Sequence, residues 1–257
     1  KDGQLMSDIV SGIRSELIKT VPGLSHFNVG CIKRDSAITH LHAAVVGYEN
    51  NKEWLKDIPH ERLADLAVFA KWKFDNADSD LVVASKITEP LLAQLRLTKE
   101  EALKIAKANT ARSARFESMD TVMKNMMEDD GMNRELAEMM FPKQSTPLSV
   151  LSNESGIDGA ALIACPEVLK AVQKELGEAF YILPSSIHET LILPKSSADD
   201  VEDLKQMVSS INEAEVAPED RLSDNVYEFD GHSLIIAGTE LTKEHDISDS
   251  IVYHRGR

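Results

Sequence analysis

The chain lacks most of the features that announce a function. No run approaches the roughly 20 consecutive apolar residues that span a bilayer, so no membrane-crossing helix is expected. Cysteine is scarce: Cys31 and Cys165 are far apart and fit no metal or redox spacing. Cys165 ends the apolar run "AALIAC" and reads as a small buried hydrophobe, which suits reduced thiols in a cytoplasmic protein. There is no phosphate loop, dinucleotide fingerprint, zinc signature or heptad array, and no cofactor is expected. The chain opens on Lys1 with neither an initiator Met nor a signal-peptide pattern, which reads as a trimmed start.

Positive charge is also short, but only in one half. Residues 1–120 carry 17 Lys+Arg and 17 Asp+Glu; residues 121–257 carry 11 and 26, which is the whole net charge of −15. That half repels a phosphate backbone, so nucleic acid is not an expected partner. Acidic surface ordinarily keeps a protein in solution, and the partner class it suits is a basic protein or peptide. With 257 residues, 42% of them apolar, there is material for one large core or two modest ones.

What is present is a succession of short periodic segments. Met6, Val10, Ile13 and Leu17 recur at helical spacing. "AITHLHAAVV" predicts a strand and "NKEWLKDI" a short helix. Leu66, Val68, Ala70, Trp72 and Phe74 alternate with Lys71 and Lys73, the pattern of a strand with one wet face. "LVVASKI" predicts another strand. Thr88 with Pro90 opens a helix, and "TKEE" is a capping box: Thr98 accepts from the amide near Glu101, whose carboxylate reaches back.

Seven of the nine methionines lie between Met119 and Met140. Met119, Met123 and Met126 share one helical face, and Met132, Leu136, Met139 and Met140 mark a second helix. The plain reading is a helical hairpin packed on the core; the sharper one is an adaptable Met-lined groove for a peptide or apolar ligand. Residues 142–159, rich in Ser, Pro, Asn and Gly, read as a linker or long crossover.

Beyond it, "GAALIAC" predicts a buried strand, and Pro166 and Gly177 bracket a helix. "FYIL" and "IHETLIL" predict strands around a Pro184-Ser185-Ser186 corner. "SADDVEDLKQMVSSIN" predicts a helix with acids in its first turns, and Asp230-Gly231 a tight hairpin turn. The order predicts an α+β fold: mostly antiparallel sheets with packed helices, in two related sheet-and-helix units joined by the Met-rich hairpin. The boundaries fall at 1–117, 118–157 and 158–257.

The corner "PSSIHE" gathers hydroxyls, an imidazole and a carboxylate, which makes Ser186 and His188 the candidate catalytic residues. If 187–193 is a strand, Ser186 and His188 share one face and Glu189 lies on the other. A triad needs its acid behind the imidazole, and there is no G-x-S-x-G elbow, so the corner reads first as a turn. Its Ser hydroxyls are then expected to bond nearby backbone, with His188 partly buried and the helix carrying Val201, Leu204 and Val208 covering its face. Ser185, Glu189, Asp224 and Tyr227 are the candidate binding residues.

His40 and His42 on one strand face are the candidate metal ligands, but a third ligand, His60 or Asp65, would have to come from the fold. No metal is expected. Glu213, Glu215, Glu219, Asp220 and Asp224 lack the ordered D-x-D-x-D-G pattern of a calcium loop.

Four strings together resemble one known family: "YENNKEWLKDIPHERLADLAV" (48–68), "LTKEEALKIAKANT" (97–110), "FYILPSSIHETLILP" (180–194) and "VAPEDRLSDNVYEFD" (216–230). They are similar to the bacterial family called domain of unknown function 5688, whose members occur mainly in gut Firmicutes. "LTKEEALKIAKANT" also resembles, more distantly, the YtpQ-like family. Neither resemblance implies catalytic residues. The expected function is a non-enzymatic accessory or protein-interaction module, and the alternative is a hydrolase of unfamiliar type using the corner.

Overall fold

The computed structural model describes residues 34–75, 82–142 and 145–239. The helix expected over residues 4–18, and Cys31, lie outside them. The architecture is α+β, with two antiparallel sheets.

The first sheet is built around one long strand. β3 (Leu66–Asp75) pairs along one edge with β1 (Leu41–Gly47). Its other edge is shared by β2 (His60–Leu63) and then β4 (Val82–Lys86). Ahead of β1 comes α1 (Arg34–Thr39), and α2 (Tyr48–Leu55) follows it. Leu66, Val68, Ala70 and Trp72 enter the main core, as their alternation predicts. The opposite face is not simply wet. Phe69 packs with Ala44 and Ile58, and Lys73 is only 8% exposed.

Helices α3 (Glu89–Leu95) and α4 (Lys99–Ala111) follow. The predicted capping box of α4 is complete: the Glu101 amide donates to Thr98 Oγ1 at 3.2 Å, and the Thr98 amide donates to Glu101 Oε2 at 2.9 Å. α4 is tied to β1 by Asn109 Nδ2, which donates to the Leu41 carbonyl, and by Thr110 Oγ1, which accepts from the Ala43 amide.

The second sheet has six strands in the order β10-β9-β7-β8-β6-β5. They are β5 (Ala114–Ser118), β6 (Ser149–Asn153), β7 (Phe180–Leu183), β8 (Thr190–Pro194), β9 (Tyr227–Phe229) and β10 (Leu234–Ile236). β6 lies inside the segment read as a linker. Five residues with a single Val-Leu pair carry too little periodicity to stand out among Ser and Pro. Between β5 and β6 the chain makes the Met-rich hairpin, α5 (Met119–Asp129) and α6 (Arg134–Met140).

The run 159–164 is not the expected strand but a 3₁₀ helix, every residue of it buried. A short unbroken apolar run fits either conformation, and here enclosure on all sides decided. It sits in the main core among residues of both sheets, with Val168, Leu169 and Val172 of α7 (Pro166–Leu176) beside it. Gly159 admits it: a Cβ there would run into the His188 carbonyl and the Ser152 hydroxyl. Pro166 and Gly177 bracket α7 as predicted, Gly177 with φ 77°.

α8 (Val201–Glu215) covers the other face of the second sheet. Val201, Leu204 and Val208 pack with Leu183, Leu191, Leu193 and Val226. This corrects the expected cover. Ile192 belongs to the main core, so the face read as lying under α8 is the one turned away from it.

Candidate functional site

The corner begins where β7 ends. Residues 184–189 form an irregular connection rather than the start of a strand, because β8 begins only at Thr190. Ser185 Oγ donates to the Glu189 carbonyl at 3.3 Å and lies 3.4 Å from Glu189 Oε1. Ser186 Oγ accepts from the His188 amide at 3.0 Å. Both hydroxyls therefore bond within the corner, the behaviour that makes Ser a turn residue.

His188 is half-buried, with 36% of its side-chain surface exposed, and it bridges two distant loops. Its Nδ1 accepts from the Asp158 amide at 3.3 Å. Its Nε2 faces Asp220 Oδ1 at 3.5 Å. An Nδ1 that accepts leaves the ring proton on Nε2, directed at the carboxylate. Both ring nitrogens then have partners, and neither is placed by these bonds to take a proton from Ser186. The acid beside the imidazole is Asp220, not Glu189. Nothing in the sequence paired residues 32 apart through a loop, so spacing alone could not find it.

The segment before Gly159 is clamped from the other side. Lys71 Nζ donates to both Asp158 oxygens at 2.8 Å, and Lys73 Nζ contacts Ser155 Oγ. Asp158 holds φ 58°, a left-handed conformation that Asp tolerates better than most residues. The lysines read as the wet face of β3 thus hold the 153–158 turn against the first sheet. His42, Lys71, Lys73 and Asp158 line a small cleft of about 100 Å³.

A second polar cluster joins the sheets. Asp65 sits where β2 turns into β3, next to Ala64 with φ 54°. Its Oδ1 accepts from the Tyr227 hydroxyl at 2.8 Å; its Oδ2 accepts from Ser223 Oγ at 2.7 Å and Asn225 Nδ2 at 3.1 Å. Tyr227 is fully buried, and burial, with Asp65 adding, pushes its hydroxyl pKa far above the usual tyrosine range. Asp224 is exposed and accepts from Asn212 Nδ2 at 2.8 Å. Asp65, Asp224 and Arg221 line an open cavity of about 310 Å³. Of the candidate binding residues, Tyr227 and Asp224 therefore meet around this cluster, while Ser185 and Glu189 stay at the corner.

His40 precedes β1 and His42 lies within it, in register with Lys71. Neither suggested third ligand joins them: His60 Nδ1 is 2.8 Å from the Ile58 carbonyl, and Asp65 belongs to the inter-sheet cluster. Among the described residues no group of three His, Cys, Asp or Glu side chains could hold a metal ion. Cys165 is fully buried, and burial, helped by Glu167, pushes its thiol up to about 12.

The most exposed apolar surface lies elsewhere. Met126, Leu136, Met139 and Met140 are 49–79% exposed, and among the described residues they make four of the six large exposed hydrophobics, so this surface is concentrated on one hairpin. α6 is anchored through Ala137, which is fully buried. The expected two-helix hairpin is present, with Met119, Met123 and Met132 half-buried, but Met126, Leu136, Met139 and Met140 are not packed on the core. Small Ala137 lets the helix approach closely, and the larger apolar side chains beside it remain outside.

Among the described residues no helix is long and apolar enough to cross a membrane. No curated protein and no solved structure matches the chain. Residues 1–231 match a family of unknown function, DUF5688. The corner and the inter-sheet cluster carry three of the four strings that suggested this family, and the chain belongs to it.

Proposed function

We propose that this protein is a non-enzymatic interaction module acting in the bacterial cytoplasm, and that its α5–α6 hairpin is the surface that meets a basic partner. The observation that carries this reading is the exposure of Met126, Leu136, Met139 and Met140. Clustered apolar surface of this kind costs solubility unless a partner covers it, and flexible Met side chains repack against varied apolar faces. The same segment carries Glu128, Asp129, Asp130, Glu135 and Glu138 against Lys124 and Arg134. That charge favours a basic amphipathic helix and disfavours a second copy of the same hairpin.

The test is a titration of a fluorescein-labelled, lysine-rich amphipathic helical peptide followed by anisotropy. Leu136→Asp with Met139→Asp should weaken binding at least about tenfold, a loss of about 1.4 kcal/mol. Absence of binding to the parent protein counts against the reading.

The second reading is a hydrolase using Ser186 and His188, and Asp220 beside the imidazole is what favours it. Turnover of ester or amide substrates that His188→Ala abolishes, without loss of folding, would establish that reading instead.

A further inference from the structure

Among the described residues β5 is the terminal strand of the six-stranded sheet, paired only with β6. The Glu154 amide bonds the Ser113 carbonyl and the Met119 amide bonds the Leu148 carbonyl, which sets the phase of the ladder. Residues 115 and 117 are then the bonded positions, and Ala114 and Phe116 turn their main-chain N–H and C=O away from β6. An exposed row of such groups is a template for another strand.

Beside this edge lies a groove of about 420 Å³. Phe116 and Leu151 of the sheet form one wall, and Val168, Ala171 and Val172 of α7 form the other. Its volume is in the range of sites that take a side chain or small ligand. The charged groups lining it are Glu167 and Glu175, both exposed and neither in an ion pair among the described residues. A free strand edge, an apolar groove parallel to a helix, and carboxylates as the only lining charges describe one kind of occupant.

We propose that an extended basic segment of a partner protein adds to β5 as a seventh strand, placing alternate apolar side chains in the groove between β5 and α7 and basic ones near Glu167 and Glu175. Main-chain bonds to Ala114 and Phe116 supply affinity without sequence preference, and the groove and its carboxylates supply the preference. This site is separate from the hairpin, and its partner is read by backbone, which a helix cannot offer.

The probe is a fluorescein-labelled peptide alternating lysine and valine, titrated by anisotropy into the full chain. Its N-methylated form, blocked at alternate amides, should bind about tenfold more weakly, as should a glutamate–valine counterpart. Ala171→Trp, which fills the groove from an exposed position, and Glu175→Lys, which reverses its charge, should each weaken the parent peptide about tenfold with the melting temperature unchanged. Met139→Asp should leave this binding intact, so failure here is separable from failure at the hairpin. Equal binding of the N-methylated peptide, or indifference to Ala171→Trp, would overturn the proposal by reducing the contact to charge alone. A dimer in sedimentation that Ala171→Trp dissociates would overturn it in favour of a second copy at the same edge.

Discussion

The PSSIHE corner and the Asp65 cluster are both polar knots, yet they close over different distances. In the corner, Ser185 and Ser186 bond to groups within four residues, while His188 and the main chain of Ile187 reach outward, Ile187 to the Asp220 carbonyl and the Ala160 amide. In the cluster, one carboxylate collects three donors lying 158–162 residues further along the chain. The first knot shapes a turn, and the second fastens one sheet to the other. Chemically rich strings can thus be structural in two ways. The difference is visible only in which partners they meet.

The strongest way to break the comparison acts at Gly159, which lets the buried 3₁₀ helix pass beneath the corner. Gly159→Ala places a methyl group against the His188 carbonyl. It should cost about 3 kcal/mol, because backbone cannot swing aside as a side chain would. Urea denaturation measures it; a cost under about 1 kcal/mol would mean the corner tolerates displacement.

Asp65→Ala comes next. It leaves the buried Tyr227 hydroxyl and two further donors without their acceptor, and should cost about 2–3 kcal/mol in the same assay. His188→Ala removes one imidazole that is half in solvent and should cost about 1 kcal/mol. If the His188 variant proves the less stable of these two, long-range closure is not the stronger one.

A pH series sharpens the contrast without mutation. Tyr227 and Cys165 both have folded pKa values raised above their ordinary ones, first by burial. Each proton is held more tightly in the folded chain, so the stabilisation is complete below the ordinary values, about 8.5 for thiols and about 10 for tyrosine. It is lost as pH rises through that range towards the folded values. The melting temperature should therefore fall progressively above about pH 9, and Cys165 should resist alkylation until the chain unfolds.

The smallest expected effect on stability is at the hairpin. Met139→Asp alters a side chain that is 79% exposed and should change stability by no more than about 0.5 kcal/mol. A large loss would place Met139 in a packed interface within the chain, against the docking role.

Local chemistry was legible because its partners are near in sequence. Thr98 and Glu101 cap α4 from three residues apart, and Pro166 and Gly177 bound α7. Gly231, with φ 94°, sits in the turn between β9 and β10, where the Asp230 carboxylate accepts from the His232 and Ser233 amides. Those bonds, Ser233 first, hold the Asp230 carboxyl below its usual range. The alternation of β3 likewise assigned Leu66, Val68, Ala70 and Trp72 to the core correctly, since a strand's period fixes its faces.

By itself, then, the amino-acid sequence determined the α+β class, these caps and turns, the family and the charge polarity, all properties of neighbouring residues or of their sum. Only tertiary structure decided that 159–164 would coil rather than extend, since enclosure, not composition, separates the two. It also decided which sheet face α8 covers, that Lys71 would find Asp158, and that Asp220 would stand beside His188. Among the described residues β5 became an open edge for the same reason. Pairing between strands is set by how distant segments pack, and no local pattern records which strand is left without a neighbour.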